Sequence, residues 1–257
     1  MKNKWVRNVI FVVALAVFLY SAYQLFIIFS EYQKGEKEYD TIVEEVITEE
    51  VVEVTEGEET KEEVVFKVDF DTLLKTNKET VAWIRFEQPE KISYPVVHTT
   101  DNDKYLKTTF ELKKNASGAL FVDAINAPDF TDRNTFIYGH NMKNGSMFGQ
   151  LKKYRSKDFY QENPYFYIYT PDGKELKYQV FAVGIVEDTS ESYRRTFTDD
   201  ADFLKYLGYL KKVSRYDTGV EVNETSQIVS LSTCTNVTDT QRLVVHGVKI
   251  SERIVGE

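Results

Sequence analysis

A single cysteine, three histidines and five prolines in 257 residues remove several classes of protein at once. One thiol excludes an intrachain disulfide framework and a cysteine-based metal cluster. The histidines, His98, His140 and His246, are too scattered to give ligand spacing, so no metal and no other cofactor is expected. The net charge is −9, from 32 Lys and Arg against 41 Asp and Glu, and no nucleic-acid partner is expected. There is no internal repeat. Cys234, unable to pair within the chain, keeps three uses: packing, a cross-link between two copies, or chemistry as a thiolate.

What is present is arranged in three stretches. Lys2, Lys4 and Arg7 precede an uncharged, almost wholly apolar run from Val9 to Ser30, which as a helix reaches roughly 30 Å and matches a bilayer core. The run continues past Ala14-Leu15-Ala16 through Leu25 and Ile28, which marks an uncleaved anchor rather than a signal peptide. Basic residues before it and acidic ones after it predict a single-pass protein of the cell membrane, N-terminus cytoplasmic, the remainder extracellular. Residues 31–66 hold fourteen Asp or Glu against three lysines and are expected to form a solvated stalk, spanning on the order of 35 Å as a coil. Most of the acidity sits there, so residues 67–257, one domain in size, are close to neutral and say little about the charge of a substrate.

Within that domain a helix around 70–74 leads to a strand near 81–84, and further strands are expected at 92–98, 119–122, 135–138, 165–169, 177–186, 227–232 and 242–250. Thr170-Pro171-Asp172-Gly173 makes a hairpin turn. Helices are expected over 147–160 and 199–216. Many short strands with few helices predict a mainly antiparallel barrel or sandwich carrying helical insertions.

A thiol at neutral pH needs a base or a cationic neighbour. His98 ends a strand before a polar loop. His246 lies within an apolar strand, where a buried, hydrogen-bonded histidine is the ordinary explanation. His140, between Gly139 and Asn141 at a strand end, is the better candidate, since strand ends carry sites. Arg242, eight residues after Cys234 and heading a strand suited to pair with it, could steady a developing oxyanion or form a surface ion pair.

These residues resemble the sortases, membrane-anchored cysteine transpeptidases of Gram-positive bacteria, and class B in particular. Ser230-Leu231-Ser232-Thr233-Cys234 is similar to the class's Thr-Leu-Ser-Thr-Cys signature. Tyr138-Gly139-His140-Asn141-Met142 resembles its histidine motif and Arg242-Leu243-Val244-Val245-His246 its arginine strand, all in the family's order. The resemblance implies a mainly β fold: a closed barrel of about eight strands with N-terminal helices and a helical insertion before the cysteine strand. It also implies catalysis by His140, Cys234 and Arg242 in a groove lined by Ser232 and Thr233. Cys234 would attack the carbonyl after the threonine of an Asn-Pro-x-Thr-type sorting peptide, and a peptidoglycan precursor, a pilin lysine or another amine would take the acyl group. Two features depart from the pattern: Ser230 replaces the first threonine, and, where some class B members carry an aspartate shortly after the cysteine, Asn236 stands two residues on and Asp239 is the nearest acid. The same residues acting with water would make an extracellular cysteine peptidase, and a non-catalytic scaffold domain is the further alternative.

Overall fold

Eight strands with apolar inward faces close into a barrel, which leaves no edge to cover. The computed structural model describes residues 2–56, 59–90, 92–235 and 240–255. The barrel comprises β3 (Thr80–Arg85), β4 (Ser93–His98), β5 (Leu120–Val122), β6 (Asn134–Tyr138), β7 (Tyr165–Tyr169), β8 (Lys174–Glu187), β9 (Ile228–Cys234) and β10 (Gln241–Ile254). Their order is β10-β8-β7-β3-β4-β5-β6-β9, with β9 bonded back to β10. Trp83, Val96, Leu120, Ile137, Leu231 and Val245 fill the interior. The sheet is mixed: β4–β5 and β6–β9 run parallel. The long loop 99–119 returns the chain to the starting end of β4, a crossover that local alternation cannot reveal.

Gly173, at φ 80°, turns β7 into β8 as the Pro-Asp-Gly sequence predicts, and its N–H donates to the Thr170 carbonyl at 3.0 Å. The long helix expected over 147–160 is instead a 3₁₀ stretch, Phe148–Arg155, followed by a separate short helix, α3 (Lys157–Glu162). Phe148, Leu151 and Tyr154 recur every third residue, and all three are buried on one side because a 3₁₀ turn has three residues. Ser156 breaks the run at φ −93°, ψ 130° and caps α3. The last helix, α4 (Asp200–Val213), is capped by the Asp199 side chain. It lays Phe203, Tyr206, Leu207 and Leu210 against Phe181, Ile228 and Val248, covering the outer face of β8, β9 and β10.

The acidic segment departs most from expectation. Residues 31–46 are no coil but the continuation of α1 (Lys2–Val46), whose apolar half is long enough to cross a membrane and fits a single anchor. Beyond it β1 (Ile47–Glu56) and β2 (Glu59–Val68) pair antiparallel. The physical reason is a stripe at helical spacing, Gly35, Tyr39, Ile42 and Val46, buried against the barrel while Asp40, Glu44 and Glu45 reach water. Phe66 of β2 is buried as well, its ring 5.0 Å from that of Tyr169 and the Arg85 guanidinium 4.6 Å from its centroid. Core packing therefore begins well before residue 67. A seven-residue helix, α2 (Phe70–Thr76), capped by Asp69, then leads into β3.

Candidate active site

β9 and β10 meet at one end of the barrel with Cys234 and Arg242 as register partners. Position 234 is the last of β9, two residues beyond Ser232. Beside them β6 ends at Tyr138, which is the partner of Ser232 in the parallel pair. Gly139 follows, its N–H donating to the Ser232 carbonyl at 3.1 Å. A Cβ at Gly139 would stand 2.3 Å from Leu120 Cδ2 and 2.7 Å from Phe148 Cδ2, so only glycine lets the chain leave the strand here. That exit presents His140 at the lip of a cleft of about 240 Å³ lined by Leu106, Tyr138, His140, Ser232, Thr233 and Arg242, among others.

His140 and Arg242 are each held by a partner remote in sequence. His140 Nε2 lies 2.7 Å from the Leu106 carbonyl. A carbonyl only accepts, so Nε2 carries a hydrogen, and in the neutral ring Nδ1 is the nitrogen able to take a proton. Leu106 ends a 3₁₀ turn whose Tyr105 is buried, donating to Glu79 at 2.5 Å and accepting from Asn77 at 2.8 Å. Two further N–H groups of that turn, on Asp103 and Lys104, are accepted by the Asp101 carboxylate, and they hold its carboxyl below the usual range. Arg242 Nη2 reaches Asp188 Oδ2 at 3.3 Å, and Nη1 donates to the Gln241 carbonyl at 3.2 Å.

The two hydroxyls expected to line the groove differ. Ser232 Oγ is already 2.7 Å from the Tyr193 hydroxyl. Thr233 Oγ1 is buried and has no hydrogen-bond partner among the described residues, which leaves a desolvated hydroxyl at the cleft. Tyr138 donates to the buried Asp123 carboxylate at 2.7 Å, and Arg195 pairs with the same oxygen at 3.3 Å. Burial, and then the Asp123 charge, push the Tyr138 hydroxyl well above its ordinary range, so it stays protonated. The Cys234 side chain, Asn236 and Asp239 lie outside the described residues.

The remaining histidines stand apart from the cleft. His246 is fully buried beneath α4, with Nδ1 2.7 Å from Ser230 Oγ, and burial pushes its pKa down to about 3. His98 ends β4 opposite Val122 of β5. Sequence reasoning missed Leu106, Asp188, Asp123 and Tyr193. None carries a local signal, because each acts through a carbonyl or a contact made across the barrel.

A barrel of this order, with a cysteine strand, an arginine strand and a histidine at one end, defines a class. The sortase domain family model matches residues 87–250. Sortase B of Listeria monocytogenes serovar 1/2a is 37% identical over 179 residues, covering 68% of this chain and 71% of that protein. Among solved structures, sortase B from Bacillus anthracis in complex with AAEK1 superposes with a TM-score of 0.72 at 31% identity, covering 87% of this chain and all of that one. The Staphylococcus aureus sortase B-substrate complex gives a TM-score of 0.66 at 29% identity over 71% of this chain and 84% of its own. The chain belongs to the sortase family, and within it to class B. It is thus a cysteine transpeptidase, and the reading as a non-catalytic scaffold falls away.

Proposed function

We propose that the chain is a membrane-anchored transpeptidase that cuts a C-terminal sorting peptide after its threonine and passes the acylated protein to an amine of the cell wall or to a pilin lysine. Residues 9–30 cross the bilayer with the N-terminus in the cytoplasm, and the barrel works outside. Cys234 attacks the threonine carbonyl, the C–N bond breaks, and a thioester holds the acyl fragment. His140 delivers a proton to the departing amine and later takes one from the incoming amine. Arg242 donates to the tetrahedral oxyanion, oriented for this by Asp188. The single observation that supports the reading is that Arg242, the register partner of Cys234 on β10, lines one cleft together with His140 from the end of β6. Thr233, with its unpartnered hydroxyl, is the better placed of the two groove residues to bond the peptide backbone, because Ser232 is engaged by Tyr193.

A library of sorting peptides offered to the full chain in detergent, with and without triglycine or lysine as acceptor, tests this. Amine-dependent ligation is expected, and Cys234→Ala and Arg242→Ala should each abolish cleavage with the fold retained. Cleavage indifferent to added amine would instead identify a peptidase, and activity surviving in Cys234→Ala would sink the mechanism.

A further inference from the structure

The part of α1 that leaves the apolar run does more than connect. Asn115 Nδ2 donates to the Glu31 carbonyl at 2.9 Å, one residue beyond the end of that run. Gly35 packs so closely on the loop 107–118 that a Cβ there would stand 2.5 Å from Ser117 Oγ. Glu38 accepts from the Glu111 N–H at 3.1 Å. The next residue, Tyr39, is buried, and its hydroxyl donates to the Gly118 carbonyl at 2.6 Å and accepts from the Phe110 N–H at 3.2 Å. Burial pushes the Tyr39 hydroxyl well above its ordinary range, so this donor persists at any working pH.

The same loop carries what His140 rests on. Gly118, at φ 58°, lies against the imidazole: a Cβ there would be 3.2 Å from His140 Cδ2 and 2.3 Å from the Tyr105 carbonyl oxygen. The Ala119 N–H closes the loop onto that Tyr105 carbonyl at 3.0 Å, and the next carbonyl, of Leu106, accepts from His140 Nε2. The Tyr39 ring also meets Tyr94 edge-on at 5.3 Å. The Tyr94 hydroxyl accepts from the Met147 N–H at 3.0 Å, and the next residue, Phe148, donates to the His140 carbonyl at 3.0 Å. The ring edge, the ring nitrogen and the main chain of His140 are therefore all braced by backbone that Tyr39 ties to the membrane-proximal helix.

We infer that Tyr39 is a positioning residue for His140, so that the helix entering the membrane is a working part of the active site and not a tether. The inference rests on the reading of His140 as the proton-transfer group. Small misplacements of such a group are expensive, on the order of a hundredfold in rate for 1 Å, whereas a tether residue would be indifferent to the loss of one hydroxyl.

The full chain in detergent micelles is compared with Tyr39→Phe, Gly35→Ala and the pair Gly35→Ala/Ser117→Ala. The readouts are the proton–carbon signal of the His140 ring, assigned by its loss in His140→Gln, and steady-state transfer with the peptide chosen from the library. Tyr39→Phe is expected to move the His140 signal and lower kcat about tenfold with KM within about twofold. Gly35→Ala should do the same by lifting the helix from Ser117, and the paired change should restore most of the rate. An unmoved signal with wild-type kcat in folded Tyr39→Phe, or a change in KM alone, overturns the inference. If Tyr39→Phe does not fold, the Gly35 variants decide on the same readouts. Full transfer by His140→Gln would refute the proton-transfer reading itself, whereas loss there with no effect at Tyr39 or Gly35 refutes the positioning alone.

Discussion

Acid should weaken this barrel through one histidine. Asn134 donates through Nδ2 to the Arg194 carbonyl and the Tyr206 hydroxyl, so its Oδ1 must accept, and it does so from Ser230 Oγ at 2.7 Å. Ser230 has then spent its only hydrogen, and the 2.7 Å contact with His246 Nδ1 requires Nδ1–H to be the donor. The ring is neutral, and a second proton would place an unpaired charge in a fully dried site, which is why its pKa is pushed down to about 3. In the unfolded chain it titrates near 6.5. Above that value neither state binds the extra proton, and this histidine contributes its full stability. As pH falls below it, the unfolded chain takes up a proton that the native state refuses, and stability drops by about 1.4 kcal/mol per unit, or about 2 kcal/mol by pH ~5. The loss continues until the folded value near 3 is passed. Carboxylates titrate over part of this range, so the comparison is with His246→Asn, whose amide nitrogen falls close to the Nδ1 position but has no proton to gain. Denaturant midpoints followed by the fluorescence of the buried Trp83 should show wild type losing about 2 kcal/mol more than the variant between pH ~7 and ~5. Equal losses in the two proteins would refute the assignment of a neutral, dehydrated His246.

The bulge at His246/Gly247 brings β10 against a stack of rings, and Gly247→Ala should cost about 1–3 kcal/mol in the same unfolding assay. Its Cβ would lie 2.3 Å from Phe166 Cε1, and Phe166 cannot retreat, being stacked on Phe86 at 5.2 Å and on Tyr178 at 5.1 Å. Asp188→Asn should lower kcat/KM about fivefold by loosening Arg242, the worth of about 1 kcal/mol for a partly exposed pair. Its denaturant midpoint should stay within about 0.5 kcal/mol of wild type, and a stability loss without a kinetic one would make Asp188 merely structural.

Strand positions were legible because β-branched and aromatic residues gather in short runs bounded by turns, as in Tyr165–Tyr169, where expectation and structure coincide. The failures are as instructive. The 148, 151, 154 spacing suits a 3₁₀ turn as well as an α-helix, and Ser156 decides between them by capping a new helix. In the acidic segment the stripe Gly35, Tyr39, Ile42 and Val46 was present in the letters, but fourteen carboxylates around it outweighed it in any reading by composition. Gly35 there marks close approach to Ser117, which cannot be recognised until the loop it approaches is in place.

The sequence by itself supplied the candidates for the chemistry: one thiol, a histidine behind a glycine at a strand end, an arginine eight residues past the thiol, and an apolar run long enough to cross a membrane. These are properties of residue type and local spacing, which survive without a fold. Only the tertiary structure decided what holds those groups. The Leu106 carbonyl on His140, Asp188 on Arg242, and Tyr39 on the loop beneath the imidazole are contacts between segments far apart in the chain. Such contacts exist only once the closed barrel has fixed the distances between its strands and loops, and no local pattern encodes them.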